Sequence, residues 1–171
     1  MLVNPNTIII EAVTFKSVRD YRPKWFRGTP IALLGQHRPW HDKRDAPCFS
    51  MVTYREGARR GNEGVESLTA LVLDFDHLTA EQAGMVLERA AGSWAFIAYS
   101  SFSHDPHPDP NQDPDKEADW RFRLVLFLDR PLAKSEFLPM WHAVNNRLGG
   151  LADTNARDVA RLWCAPSCRY N

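Results

Sequence analysis

The chain has 171 residues, enough for one domain with a real buried core. Its 44% hydrophobic and 25% charged content is that of a soluble globular protein, and no apolar run nears the roughly 20 residues that cross a bilayer. Lys plus Arg equals Asp plus Glu at 21 each, so no global positive field draws the protein onto nucleic acid and any such binding must be local.

The N-terminal stretch MLVNPNTIIIEAV has no basic region before its short apolar run and no small-residue cleavage site, so a cytoplasmic location is expected by default. Three cysteines, Cys48, Cys164 and Cys168, are an odd number without an export signal, which argues against a disulfide framework. Cys164 and Cys168 form a C-x3-C, a weak zinc signal without a second pair.

Taken in order, Thr7 to Phe15 is rich in β-branched residues and predicts a strand. Lys16 to Gly28 mixes basic residues with Tyr21, Trp25 and Phe26 around Pro23 and reads as an irregular helix and turn. Such interleaving suits a single-stranded nucleic-acid surface, and equally a core edge wrapped by long side-chain stems. Pro30 to Leu34 is a short apolar piece, and the Pro-punctuated Gln36 to Pro47 reads as a loop. His37 and His41 have helical spacing, but Pro39 between them speaks against a helix-borne metal pair. Phe49 to Tyr54 predicts a strand. Arg55 to Glu66, with three glycines and three arginines, predicts a loop or hairpin in which Arg59 and Arg60 are phosphate contacts or surface charges.

Ser67 to Thr79, SLTALVLDFDHLT, is the most apolar run and ends in two acids. On a β-strand, Asp74 and Asp76 point to one face roughly 6.5 Å apart, a spacing that chelates a metal. Two like charges at the end of a buried strand need a cation, and oxygen-only ligands suit Mg²⁺ or Mn²⁺. The other reading is two solvated carboxylates at a strand end. Thr79 with Gln82 forms a capping box, and Ala83, Val86, Leu87 and Ala90 mark the apolar face of a helix that Gly92 stops. Ser93 to Ser101 predicts a buried strand, followed by an exposed Asp- and Pro-rich loop to Asp119 that His104 opens.

Trp120 to Leu128 predicts a further strand, with Arg121 and Arg123 on one face and Phe122, Leu124, Leu126 and Leu128 on the other. A buried unpaired Arg costs several kcal/mol, so these two are expected to face anions, either Asp74 and Asp76 or a ligand's phosphates. Asp129 to Leu132 reads as a turn. Ser135 caps a helix marked by Phe137, Leu138, Trp141, Val144 and Leu148 and ended by Gly149 and Gly150. Val159 to Cys164 reads as a last strand. From Ser67 onward the order is strand, helix, strand, strand, helix, strand. That predicts an α+β fold with an RRM-like or ferredoxin-like β-α-β-β-α-β core, both helices on one face and the other face free for a site.

The segments PCFSMVTY, GARRGNEGVESLTALVLDFD, FIAYSSFSH, WRFRLVLFLDRPL and DTNARDVARLWCAPS resemble, in this order, the catalytic core of the archaeo-eukaryotic primase superfamily, especially the primase-polymerase domains of phages and plasmids. The resemblance divides residues 1–171 of one catalytic domain into an N-terminal α/β subregion, 1–46, and a core, 47–167. It implies a metal-dependent nucleotidyltransferase that makes or extends primers in DNA replication or repair. Its substrates would be nucleoside triphosphates and a single-stranded or primed DNA template, and a helicase or replication protein would be a partner. It implies two Mg²⁺ or Mn²⁺ ions on Asp74, Asp76 and a third acid, Asp153 ahead of Asp158. The family's Ser-x-His motif contacts incoming phosphates. Here Ser101, Ser103 and His104 sit at a loop start, leaving Arg121 and Arg123 as the expected triphosphate clamp, His104 as a second candidate, and Arg161 as support for the third acid or a phosphate.

Two other readings compete. LVLDFDHLT is superficially like the D-x-D-x-T loop of haloacid-dehalogenase-like phosphatases, but two residues rather than one separate the second Asp from Thr79. An RRM-like replication initiator or nucleic-acid-binding domain without turnover is the second. No His-x-His of a relaxase occurs among the six histidines.

Overall fold

The computed structural model describes residues 8–35, 38–104 and 119–169. His37 and most of the Asp- and Pro-rich loop lie outside them. In chain order the elements are β1 (Ile10–Phe15), β2 (Lys24–Gly28), α1 (Pro30–Leu34), β3 (Arg38–Trp40), β4 (Cys48–Ser50), β5 (Val52–Tyr54), β6 (Val65–Leu78), α2 (Ala80–Ala91), β7 (Phe96–Ser100), β8 (Trp120–Ala133), α3 (Phe137–Leu148), β9 (Trp163–Cys164) and β10 (Ser167–Arg169).

The central sheet has the strand order β5-β6-β8-β7, all neighbours antiparallel. A second antiparallel sheet runs β2-β1-β4-β9, and β3 pairs in parallel with β10. The fold is therefore mixed α+β. β4 and β5 are two halves of one extended stretch interrupted at Met51, so a single segment belongs to both sheets.

Local chemistry explains the helices. The Thr79 hydroxyl accepts from Gln82 N at 3.2 Å and Gln82 Oε1 accepts from Thr79 N at 3.0 Å, the reciprocal cap read from the sequence. Gly149, at φ +113°, takes the left-handed position that ends α3. Ala83, Val86, Trp141, Val144 and Leu148 are buried with Leu71, Leu73, Phe75, Leu124 and Leu126, so both helices cover one face of the central sheet. Trp141 is fully buried.

Four expectations need correction. Lys16 to Gly28 holds no helix: its second half is β2, which among the described residues is an edge strand paired to β1 alone. The strand after α3 does not complete the central sheet. β6, β8 and β7 occupy the order expected of the first three ferredoxin-like strands, but β5 takes the fourth place beside β6 while β9 joins β4. Nor is the opposite face of the central sheet free. Ala70, Val72 and Val125 pack against Ile10, Ala12, Phe49 and Trp163 of the second sheet. The turn expected at Asp129 to Leu132 is a bulge within β8, where pairing skips from Phe127 to Leu132; Pro131 has no N–H to give a ladder. Among the described residues no helix is long and apolar enough to cross a membrane.

Candidate active site

Asp74 and Asp76 lie at the C-terminal end of β6, where period-two alternation buries Leu73 and Phe75 on the helix side and turns the acids away from it. The chain bends directly afterwards: His77 has φ +58°, and register is lost between Phe75 and Leu78. Beyond the apolar contact of the two sheets opens a cleft of about 430 Å³. Four carboxylates, Asp74, Asp76, Asp153 and Asp158, line it together with four cations, Lys43, Arg60, Arg123 and Arg161.

Tyr99, Arg123 and Asp74 are direct partners across β7, β8 and β6 and so form one row. Arg123 Nε stands 3.1 Å from Asp74 Oδ1, with both side chains almost wholly buried. The N–H is not aimed at the oxygen, which leaves both atoms buried without a hydrogen bond. Arg123 Nη1 donates to Cys164 O at 3.3 Å, and its guanidinium centre is 5.4 Å from the Trp163 ring and 5.8 Å from the Tyr99 ring. The Tyr99 hydroxyl also donates to Cys164 O, and burial pushes its pKa up to about 12, so it stays a neutral donor. Burial pushes the Asp74 carboxyl above its ordinary range against the pull of Arg123, and the charge of Asp76 adds to the rise.

The third acid arrives from the loop after α3. Asp153 N donates to Asp74 O at 2.8 Å, which ties that loop to β6. The Asp153 carboxylate accepts from Asn155 N at 2.9 Å and opens a short 3-10 turn, Thr154–Ala156. Asp158 is exposed on the same wall, and its Oδ1 accepts from Ala160 N. Arg161 is half-buried, donates to Asn155 O at 3.3 Å and lies 5.8 Å from the Trp163 ring.

Arg121 and His104 do not line the cleft. Arg121 forms an ion pair with Asp119 at 2.6 Å and contacts His77 at 3.0 Å; His104 Nδ1 accepts from Arg121 N at 3.1 Å. Arg123 thus faces Asp74, one of the acids expected for it, whereas Arg121 faces Asp119, which was not among the anions expected. Lys43, exposed on the cleft wall, was not singled out by the sequence because its loop carries no periodic signal. The sequence does not distinguish Arg59 from Arg60; of the two, Arg60 lines the cleft.

The four carboxylates offer a cation oxygen donors, one of them a buried Asp74 oxygen that accepts no hydrogen bond among the described residues, and Cys164 also lines the cleft. Among the described residues no three His, Cys, Asp or Glu side chains are grouped tightly enough to hold a metal by themselves. Mg²⁺ commonly takes one or two carboxylates and completes its shell with water and substrate phosphates, so the pair Asp74 and Asp76 suits it in kind.

No family model matches the chain, and no curated protein matches it. Among solved structures, the chain is similar to the primase-polymerase (PrimPol) AEP domain of cyanophage S-2L. The TM-score is 0.49 and the identity 10%, over 91% of this chain and 71% of that one.

Proposed function

We propose that the cleft carries out nucleotidyl transfer from nucleoside triphosphates onto a template-bound primer strand, as a primase-polymerase core serving DNA replication or repair in the cytoplasm. The observation that carries this reading is the meeting of Asp74, Asp76 and Asp153, from β6 and the loop after α3, with Lys43 and Arg161 in one open cleft. Carboxylates alone repel a triphosphate and cations alone give no site for a metal; their juxtaposition serves both.

In this reading Asp74 and Asp76 hold Mg²⁺ or Mn²⁺, with Asp153 as the third acid. The bound ions would lower the pKa of the attacking hydroxyl and neutralise the triphosphate. Lys43 and Arg161 take the phosphate oxygens by charge-assisted hydrogen bonds. Arg123 is assigned a positioning role: its guanidinium holds the Asp74 carboxylate and braces the β9 backbone through Cys164 O. Arg121 and His104, expected from the sequence to contact nucleotide, lie beside the cleft, where Asp119 and His77 engage the arginine.

Incubating the protein with labelled dNTPs or NTPs, Mg²⁺ or Mn²⁺, and single-stranded or primed templates tests this. Template-dependent extension is expected. No incorporation under any of these conditions would transfer the weight to a binding module without turnover.

A further inference from the structure

Tyr21 and Trp25 are 57% and 61% exposed, uncommon for side chains whose apolar faces gain so much from burial. They line a second depression, of about 640 Å³, with Arg22, Arg55 and Arg59. This is a face built on one side by β2 and the loop before it, and on the other by the loop between β5 and β6.

The face is held in shape. Asp20 accepts from Lys16 N at 3.1 Å and from Arg22 N at 3.0 Å, which folds the loop after β1 on itself. Arg60 N donates to Tyr21 O at 3.2 Å, and Arg60 Nη1 donates to Val18 O at 2.7 Å and Asp20 O at 3.2 Å. The Arg60 guanidinium lies 4.5 Å from the centre of the Tyr21 ring. One side of that ring is therefore backed by a cation and fixed in place, at little further entropic cost on binding. Arg60 also lines the acidic cleft, so the two surfaces meet at this residue.

We propose that this face binds a single strand of nucleic acid, with bases stacked on Tyr21 and Trp25 and phosphates paired to Arg22, Arg55 and Arg59. As the surface that delivers a strand to the cleft, it rests on the nucleotidyl-transfer reading; as a binding surface, it does not. Stacking selects single strands, because bases in a duplex already stack on one another and hide their faces. Three arginines outnumber Glu56 and Glu66 in the depression, a local excess that a chain of zero net charge shows nowhere in its total. A polyanion with flat apolar bases matches both the exposed rings and the excess of arginine.

The test is fluorescence anisotropy of a labelled oligothymidylate and of a duplex of equal length against the full chain, without nucleotide or metal. Wild type is expected to prefer the single strand. Log affinity should fall with log salt at a slope of about −2, for roughly three phosphates at about 0.7 each. Tyr21→Ala with Trp25→Ala should weaken binding about tenfold or more, given the usual gain per stacked base. The exposure of both rings leaves the melting temperature as a check on folding. Loss of binding in this variant supports the proposal whether or not wild type extends primers. Equal binding by variant and wild type, a preference for duplex, or no binding at all overturns it, even if primer extension is found.

Discussion

Arg123 and Asp74 face each other across the β6–β8 ladder as direct register partners, Nε to Oδ1 at 3.1 Å, and neither side chain is more than 7% exposed. An arginine so placed cannot serve as a freely mobile phosphate clamp. It compensates a carboxylate that burial would otherwise hold in its neutral form.

Removing that guanidinium leaves Asp74 buried and unpaired. Arg123→Ala is expected to cost about 3–5 kcal/mol in urea denaturation at neutral pH. The pH dependence has a definite sign. The folded-state pKa of Asp74 is raised above 3.8, so the folded protein binds the proton more tightly, and this group's contribution to stability declines as pH rises from 3.8 through the folded value. Without Arg123 the folded value rises further, so the variant's deficit should shrink on acidification. A deficit that stays constant between neutral pH and about pH 4 would contradict the pairing.

Lys43 and Arg161 are assigned to the triphosphate. Each replaced by Ala should raise the nucleotide KM by about tenfold or more, from the loss of one charge-assisted hydrogen bond of about 1.5–3 kcal/mol. Steady-state kinetics over nucleotide concentration checks this. Arg121→Ala, lying outside the cleft, should change KM less than either.

Cys48 and Cys164 are direct partners across β4 and β9, with sulfurs 4.0 Å apart. The Cys48 thiol donates toward Cys164, and Arg123 and Lys43 lie near, which lowers the Cys164 pKa below that of an ordinary thiol, while its partner's is raised. Alkylation by iodoacetamide, followed by peptide mass spectrometry, should label Cys164 ahead of Cys48. Its rate should rise at a lower pH than that of an ordinary thiol.

The cap of α2 sets where the chain leaves the acidic strand. Thr79→Ala removes the acceptor for Gln82 N and should destabilise the protein by about 1 kcal/mol in chemical denaturation. Thr79→Ser, which keeps the hydroxyl, should recover most of it.

What the sequence made legible follows from which forces act locally. Period-two alternation in Ser67 to Thr79 and Trp120 to Leu128 put Asp74, Asp76 and Arg123 on one face, because a strand buried on both sides must sort its side chains strictly. The Thr79–Gln82 cap was readable for the same reason: it is closed by residues three apart. β2 was not, since an edge strand bonded on one side alone needs no apolar alternation and shows KWFRG instead. Whether β5 or β9 would flank β6 was a contest between two short distant segments, and no window along the chain records its outcome. The same applies to the cleft. Lys43 enters it from an aperiodic loop, and Arg121 leaves the row of Arg123 where the bend after Asp76 breaks the register. The cover over the far face of the central sheet was invisible for want of any signal linking Ile10 and Ala12 to Val72.

The most direct test of the account compares wild type with Asp74→Ala plus Asp76→Ala in template-directed incorporation of labelled nucleotide with Mg²⁺ or Mn²⁺, with thermal unfolding run on the same samples. The account predicts a cooperative melt in both and incorporation in wild type alone. Equal incorporation by a folded double variant would contradict the assignment of chemistry to this cleft.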